Sequence, residues 1–214
     1  ALAERAVRLK EVAFGPAHRQ VARSLTNLGW VLYRAGEWER AQPHVERALE
    51  IDVRVGGERQ RAVIREVHLL ASIAEDAAEF ARADSLYQRE LVIDRALYGE
   101  ESIELANTLY SMAILKRKTG RPAEARPLIE RAVALRERRL GPDHVDVGWG
   151  YNAQANVLFQ LADYAEARRL YGRAIAIWEK ALGSDHPALS AGRLNLGNAW
   201  LHAGDTTATL ASYR

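Results

Sequence analysis

The sequence has no cysteine, one methionine and no apolar run approaching the roughly 20 residues that a membrane-spanning helix needs. Without cysteine the chain can form no disulfide, no thiolate zinc site and no cysteine nucleophile. Its 30 Lys and Arg residues are nearly balanced by 28 Asp and Glu residues, so the net charge of +2 creates no global field that would gather nucleic acid. We expect a cytoplasmic protein without a membrane partner.

The composition, 48% apolar and 27% charged, is that of a folded protein, and the chain carries an internal repeat. Two series of small residues recur every 42 residues. The first is Gly15, Gly57, Gly99, Gly141 and Gly183, and the second is Gly36, Ala78, Gly120, Ala162 and Gly204. Between them apolar residues stand three and four apart, as in Leu25, Leu28 and Leu32, which is a helical spacing. Two breakers per period therefore predict two helices per period, paired as a hairpin.

We name the helix after the Gly15 series helix A, at about 17–35 in the first repeat, and the helix after the Gly36 series helix B, at about 38–55. Glycine is favoured just past a helix end because the chain there often turns through positive φ. Ala78 and Ala162 depart from this rule and would cost about 1 kcal/mol in that conformation. Either these two alanines accept the strain or the helices end differently there.

Small residues also recur inside both helices. They are Gly29, Ala71, Ala113, Ala155 and Gly197 on helix A, and Ala41, Ala83, Ala125, Ala167 and Thr209 on helix B. Paired small residues let two helices approach closely. The bulky residues Trp38, Phe80 and Tyr164 at the start of helix B close the turn. The pattern predicts tightly packed hairpins.

Three short motifs carry a family resemblance. They are Leu-Gly-x-Asp-His at Leu140 to His144 and Leu182 to His186, Ser-Leu-Thr-Asn-Leu-Gly at 24–29, and Arg-Ala-hydrophobic at 47–49, 131–133 and 173–175. With these motifs in register the sequence resembles the tetratricopeptide repeat, in the 42-residue form known from kinesin light chains and many bacterial proteins. The resemblance implies an all-α fold, a right-handed superhelical solenoid of antiparallel helical hairpins. It also implies a concave face that is lined by A helices and binds peptides or proteins.

The resemblance covers the whole chain and divides it into repeats. We expect a single repeat domain, 1–214, with a lone B helix at 1–15, full repeats at 16–57, 58–99, 100–141 and 142–183, and a partial fifth repeat at 184–214. The second repeat departs from the family pattern at Ala77, Ala78 and Glu90. Solenoid ends normally carry polar caps, and neither end of this sequence has one. We therefore expect a fragment of a longer chain in which further repeats or another domain flank it.

The recurrent histidines are the sharpest candidates for chemistry. His18, His144 and His186 share one repeat position, which Gln60 and Ser102 occupy in the other repeats. Neighbouring helices pack about 8–10 Å apart, so equivalent positions in adjacent hairpins lie about 20 Å apart, whereas a zinc ligand must lie within about 2 Å of the ion. We interpret the imidazoles as bonding local backbone at helix starts. Since no nucleophile, phosphate-binding or acid–base motif is present, we predict no catalytic residue, no metal and no cofactor.

An arginine column follows the same period at Arg5, Arg47, Arg89, Arg131 and Arg173. A duplex carries one charge about every 1.7 Å, whereas this column is interrupted by acidic neighbours such as Glu4, Glu46 and Glu130. No aromatic residue alternates with it as a base-stacking surface would require. We interpret the column as a solvated helix face with ion pairs between repeats, with protein contact as the alternative, and predict no nucleic-acid partner.

Asparagine marks the candidate binding surface. At about 100° per residue, positions 25, 28, 29 and 32 of the first helix A point into the hairpin, whereas 23, 27, 30 and 34 point away. Five of the six asparagines of the chain lie on this opposite stripe, and the sixth, Asn152, borders it. The candidate groove residues are Arg23, Asn27, Trp30, Arg34, Arg65, Ser72, Asn107, Lys118, Trp149, Asn152, Asn156, Asn195 and Asn198.

Asparagine is a mediocre helix former, so its concentration inside helix A favours a function. An exposed amide offers both a donor and an acceptor, which suits the backbone of an extended peptide. The basic residues of the stripe favour an acidic segment, and Trp30 and Trp149 suit apolar anchors. We predict a non-catalytic protein-interaction scaffold that binds a linear, acidic segment of another protein or of the same parent chain. The alternative is that the asparagines are only solvated surface, or bond sideways between repeats.

Two further functions stay open at the level of the sequence. Bacterial proteins with similar repeats often attach them to caspase-like peptidase, protein kinase or nucleotide-binding ATPase domains, which implies a regulatory or sensor arm of a signalling enzyme. The other is a self-assembling scaffold. The remaining tryptophans are interpreted as packing residues: Trp200 in the core, and Trp178 between repeats, where it replaces Asp52 and Asp94.

Overall fold

The computed structural model describes residues 2–204, and this part of the chain consists of ten α-helices without a strand. The helices are α1 (Leu2–Phe14), α2 (Arg19–Arg34), α3 (Trp38–Gly56), α4 (Arg61–Asp76), α5 (Phe80–Tyr98), α6 (Ile103–Lys118), α7 (Pro122–Leu140), α8 (Val145–Gln160), α9 (Tyr164–Leu182) and α10 (Pro187–His202). The all-α repeat fold is confirmed. The B helix expected after Gly204 lies outside the described residues.

The chain divides into two compact units, residues 1–100 (unit 1) and 101–214 (unit 2). In unit 1, α2 and α3 form one hairpin and α4 and α5 the next, while α1 packs on α2 and α3 packs on α4. Its core is built from apolar residues at helical spacing, among them Leu25, Leu28, Val45 and Ile73. Each such side chain, when fully buried, contributes about 1.5–3 kcal/mol of transfer free energy.

Unit 2 repeats this arrangement with α6 and α7, then α8 and α9, and with α10 packed on α9. Its core includes Ile129, Leu158, Leu170 and Trp178. The even-numbered helices, α2 to α10, are the predicted A helices, and the odd-numbered helices are the predicted B helices. The division of the whole chain into one repeat domain stays a prediction.

The two alanines of the breaker series keep the backbone that glycine has at the equivalent positions. Gly36 and Gly120 have φ of 78° and 73°, and Ala78 and Ala162 have φ of 59° and 62°. The first of the two alternatives is therefore confirmed, because the helices end alike and the alanines accept the strained conformation. Left-handed backbone costs an L-residue with a side chain about 1–2 kcal/mol.

The histidines at the starts of A helices cap those helices. Nδ1 of His18, His144 and His186 accepts a hydrogen bond from the backbone N–H two residues further on, at 3.1, 3.1 and 3.2 Å. Ser102 does the same for α6 at 3.2 Å, with the N–H three residues on. Gln60 has no capping hydrogen bond, and its amide instead donates to the carbonyl of Gly57 at 2.9 Å. The interpretation of these histidines as backbone-bonded is confirmed.

Close packing inside the hairpins follows the series of small residues. A Cβ at Gly29 of α2 would overlap Cγ2 of Val45 on α3. The equivalent alanines Ala71, Ala113 and Ala155 are fully buried. Small side chains therefore set the distance between helix A and helix B, as the sequence predicts.

The arginine column forms ion pairs within each unit. The pairs are Arg47 with Glu11 at 2.7 Å, Arg89 with Glu58 at 3.0 Å and Arg173 with Glu137 at 3.6 Å. These side chains are partly exposed, so each pair contributes roughly 0–1 kcal/mol. The interpretation of the column as a solvated face with ion pairs is confirmed for these three arginines.

Candidate functional site

The candidate groove residues of unit 1 on α2 are accessible. Arg23, Asn27 and Arg34 are exposed along one side of the helix. Trp30 is half-buried and packs edge-on against Tyr33, with 5.9 Å between the ring centroids. This helix therefore presents two cations, an amide and part of an indole to a ligand.

On α4 the candidate surface is less continuous. Arg65 is exposed and Ser72 is half-buried, but Leu69, which lies between them on the stripe, is fully buried. The hydroxyl of Ser72 donates to the backbone carbonyl of His68 at 3.0 Å. Because its proton is engaged inside the helix, Ser72 offers a ligand only lone pairs.

Two titratable side chains of unit 1, His68 on α4 and Tyr33 on α2, have shifted pKa values. Nδ1 of His68 lies 3.1 Å from both carboxylate oxygens of Glu90. Burial disfavours the charged imidazole, but the hydrogen bond and the charge of Glu90 outweigh burial and raise the pKa of His68. Burial, followed by the neighbouring Asp76, raises the pKa of Tyr33 to about 12, so this phenol stays protonated at neutral pH.

The candidate groove residues of unit 2 lie on three A helices. On α6 Asn107 and Lys118 are exposed, and on α8 Trp149 is 37% exposed. The half-buried members are Asn152 and Asn156 on α8 and Asn195 and Asn198 on α10. Every member of the predicted set in unit 2 is therefore accessible at least in part.

A cleft of about 210 Å³ brings three of these asparagines together. Its lining consists of Arg117, Asn156, Phe159, Gln160, Tyr171, Asn195 and Asn198. The lining therefore combines two aromatic rings, four amides and one guanidinium. Asn107, Lys118, Trp149 and Asn152 do not line this cleft.

Sequence reasoning missed Arg117 and Tyr171. Arg117 immediately precedes Lys118, the last residue of the stripe on α6, and its Nε is buried without a hydrogen-bond partner in the described chain. Tyr171 lies on a B helix, where no projection of helix A alone would find it. Burial raises the pKa of Tyr171, and the charge of Arg117 opposes this shift. A search of the sequence for basic residues adjacent to the stripe would have found Arg117.

The sequence led us to expect that each asparagine amide offers a ligand both its oxygen and its N–H groups. Asn156 and Asn195 each have one of these groups engaged within the protein. Oδ1 of Asn156 accepts a hydrogen bond from the hydroxyl of Tyr171 at 2.7 Å. Nδ2 of Asn195 donates to Oδ1 of Asn152 at 3.3 Å, which is the sideways bond between repeats that the sequence left open. Donors on neighbouring helices thus occupy the amide oxygens of Asn152 and Asn156, whereas Asn195 is engaged through its nitrogen.

The accessible indole of Trp149 is also partly engaged. Its ring centroid lies 4.4 Å from that of Trp178, which is 1% exposed. Trp178 therefore packs between helices, as the sequence predicts. Trp200 differs from its prediction as a core residue, because it is half-buried with the guanidinium of Arg168 4.2 Å above its ring.

Comparison with known families agrees with this architecture. A model of the tetratricopeptide repeat family matches residues 1–52, 63–138, 104–176 and 146–214. The chain therefore belongs to the tetratricopeptide repeat family, as its sequence motifs indicate. No curated protein matches the sequence. Across residues 2–204, no helix combines the length and apolarity required to cross a bilayer.

Three solved structures illustrate the likeness of fold. BtubC (BKLC) from P. vanneervenii has 21% identity and a TM-score of 0.84, over 99% of this chain and 85% of the other. A kinesin light chain candidate of Podosopora anserina with nearly identical TPR-like repeats has 21% identity and a TM-score of 0.78, over 92% and 95%. YrrB, described as a TPR protein with an unusual peptide-binding site, has 17% identity and a TM-score of 0.62, over 98% and 89%.

Proposed function

We propose that this chain is a non-catalytic scaffold that binds a linear, acidic peptide segment on its A helices. Membership of the tetratricopeptide repeat family supports a role in protein interaction. One structural neighbour, YrrB, is described as having a peptide-binding site, which agrees with the proposal at the level of fold. The segment belongs to another protein or to another part of the same parent chain.

The cleft in unit 2 is the observation that carries the proposal. It combines the amides of Asn156, Asn195 and Asn198 with the guanidinium of Arg117. Because Arg117 lines this cleft, its guanidinium would donate to an acceptor on a bound ligand. A carboxylate fits best, since arginine and carboxylate form short, charge-assisted hydrogen bonds.

The remaining candidate residues would extend the contact within each unit. In unit 1 these are Arg23, Asn27, Trp30, Arg34, Arg65 and Ser72, and in unit 2 they are Asn107, Lys118, Trp149 and Asn152. Apolar anchors would supply most of the affinity, whereas the cations would orient the segment and speed association.

The proposal is tested with the purified chain on an array of acidic peptides and on a matched array in which Gln and Asn replace Glu and Asp. We expect acidic peptides to bind and their amide counterparts to bind at least about tenfold more weakly. Raising the salt concentration should weaken the acidic peptides selectively, because salt screens exposed charges. Equal binding of both arrays would overturn the acidic specificity.

A double substitution locates the contact. Asn156→Ala with Asn198→Ala should reduce affinity for the bound peptides at least about tenfold. It also removes the acceptor of the buried Tyr171 hydroxyl and should lower stability by about 1–3 kcal/mol, so binding is measured well below the unfolding transition of the variant. Gln88→Ala, at an exposed position of α5, is the control and should leave binding unchanged. Unchanged affinity of the double variant would exclude this cleft. The alternative function, an arm that regulates an attached enzyme, stays a prediction.

A further inference from the structure

Arg136 is a buried cation that forms no ion pair within the described part of the chain. It lies on α7, is 8% exposed, and no carboxylate of residues 2–204 lies within ion-pair distance of it. Burial lowers its pKa, and Tyr110 and Asp146 oppose that shift. Burying a guanidinium away from water without a counter-ion costs free energy, which its hydrogen bonds must offset.

The hydrogen bonds that Arg136 makes within the described residues are to neutral groups, and its Nε is buried without one. Nη2 donates to Oδ1 of Asn107 at 2.9 Å, and Nη1 donates to the backbone carbonyl of Asp146 at 3.1 Å. The guanidinium also lies 4.4 Å from the ring centroid of Tyr110. Gly150 lies beside this guanidinium, and a Cβ at that residue would be in ordinary contact with Nη1 at 3.9 Å.

This geometry determines which way the amide of Asn107 faces. A guanidinium has only donors, so the amide must present its oxygen to Arg136. Asn107 is exposed, and its Nδ2 has no acceptor among the described residues. The N–H groups of Asn107 therefore face outward. The amide of Asn156 has the same polarity, since its oxygen accepts from Tyr171.

We propose that Arg136 is a positioning residue that turns Asn107 into a pure hydrogen-bond donor, so that Asn107 selects a ligand group that accepts, namely a carboxylate or carbonyl oxygen. This inference rests on the proposed function and deepens it. Asn107, Asn156 and Arg117 then supply donors of one kind to the bound segment. A ligand ammonium or N–H group in their place would face donors with a donor and lose its hydrogen bonds.

Asparagine at position 107 is less favourable for stability than aspartate would be. Asn107→Asp keeps the shape of the side chain and gives Arg136 the counter-ion that it lacks. The variant should therefore unfold at a higher temperature than the parent chain, by at least about 2 °C. The same change replaces the outward donors with an acceptor, so binding of acidic peptides should fall at least about tenfold.

The experiment measures thermal unfolding and the binding of the acidic peptide array for the full chain and for Asn107→Asp. Ala123→Asp adds the same charge at an exposed position in the first turn of α7 and is the matched control. The Ala123→Asp control should retain binding of acidic peptides. A loss of binding that occurs only in Asn107→Asp is then due to the missing N–H donors and not to the added negative charge. Asn107→Ser, which has no charge and a single short donor, should show a smaller loss of binding without a gain in stability.

The outcomes separate this inference from the proposed function. A stabilised Asn107→Asp variant that no longer binds acidic peptides supports the inference. An unchanged or lower unfolding temperature overturns the orientation of Asn107, whatever the peptides do. Retained binding overturns its role as a donor and leaves the proposed function intact. Absence of acidic-peptide binding to the parent chain overturns the proposed function, and the ligand preference inferred here falls with it.

Discussion

The indole of Trp178 occupies the space that a side chain at residue 148 would need. A Cβ added to Gly148 would lie 2.7 Å from Nε1 of Trp178 and 3.2 Å from Cγ2 of Ile177. On the following A helix, a Cβ at Gly192 would lie 3.1 Å from Cζ3 of the same indole. Two glycines therefore make room for one tryptophan that is 1% exposed.

Gly148→Ala should destabilise unit 2 although alanine is the better helix former. The added methyl group overlaps the rigid indole of Trp178, and overpacking of this kind costs about 1–3 kcal/mol. The helix gains only about 0.5–1 kcal/mol from the substitution. Urea unfolding should therefore show a lower midpoint for the variant.

Gly172→Ala is the matched control, since a Cβ at this α9 position would meet nothing within 4 Å. It should stabilise the protein by roughly 0.5–1 kcal/mol. Combining Gly148→Ala with Trp178→Leu should cost less than the sum of the two single changes, because the shorter side chain removes the overlap. A strictly additive double variant would show that the two residues do not compete for space.

Glu66→Gln should remove a pH dependence from the stability of unit 1. Glu66, on α4, is fully buried, and the hydroxyl of Thr26 on α2 donates to its Oε1 at 2.8 Å. Burial, together with neighbouring Asp52, raises the pKa of Glu66 to about 8 from its ordinary 4.5, although Thr26 and Arg65 oppose the shift.

The folded chain therefore keeps a proton that the unfolded chain releases. Stability from the neutral Glu66 is fully present below pH 4.5 and is lost as pH rises towards about 8. The loss is at most about 1.4 kcal/mol per pH unit for one group. Unfolding midpoints of Glu66→Gln and the parent chain should agree near pH 5 and diverge towards pH 8, with the variant more stable.

Glu50→Gln serves as the control for this pH profile, because the Glu50 side chain is 66% exposed. Its profile should match that of the parent chain. A parallel pair of curves for Glu66→Gln and the parent chain would mean that Glu66 is already ionised at neutral pH in the folded protein.

Ala78→Gly and Ala162→Gly should each leave stability unchanged or raise it by up to about 1 kcal/mol. Both alanines have positive φ, and glycine adopts this backbone without strain. The gain is limited because glycine also loosens the unfolded chain. As a control, Ala176→Gly in the interior of α9 should cost about 0.5–1 kcal/mol. Thermal unfolding of the three variants checks this difference. A comparable loss of stability at all three positions would show that Ala78 and Ala162 are not strained in the folded protein.

His144→Ala should destabilise α8 by about 1 kcal/mol, because Nδ1 of His144 accepts the backbone N–H of Asp146 at 3.1 Å. His144→Asn retains a capping acceptor and should restore most of the loss. Chemical unfolding of the two variants checks this difference. An equal loss in both would assign His144 a packing role instead.

Local pattern was sufficient to predict the hairpins. The spacing of Leu25, Leu28 and Leu32 defines a helix within a few residues, and glycine at Gly36 ends it because few other residues adopt positive φ cheaply. The capping of α2 by His18 was likewise predictable, since the acceptor and the backbone N–H are two residues apart.

The candidate surface could be predicted only in outline. A helical projection gives the direction of each Cβ, and it correctly predicted that Asn27 and Asn107 are exposed to solvent. The projection could not show that Leu69 is buried or that the ring of Trp149 packs against Trp178. The burial and the ring contact both depend on residues far away in the sequence. Nor could it reveal that Tyr171, on another helix, contributes to the cleft.

The sequence by itself determined the number, length and pairing of the helices, because the 42-residue period, the caps and the small residues all act over short distances along the chain. Only the tertiary structure decided which polar groups a ligand can reach. Arg136 on α7 and Tyr171 on α9 take the oxygens of Asn107 and Asn156 on neighbouring helices. The direction of an amide depends on the partner it meets, and the fold alone brings that partner within hydrogen-bond distance.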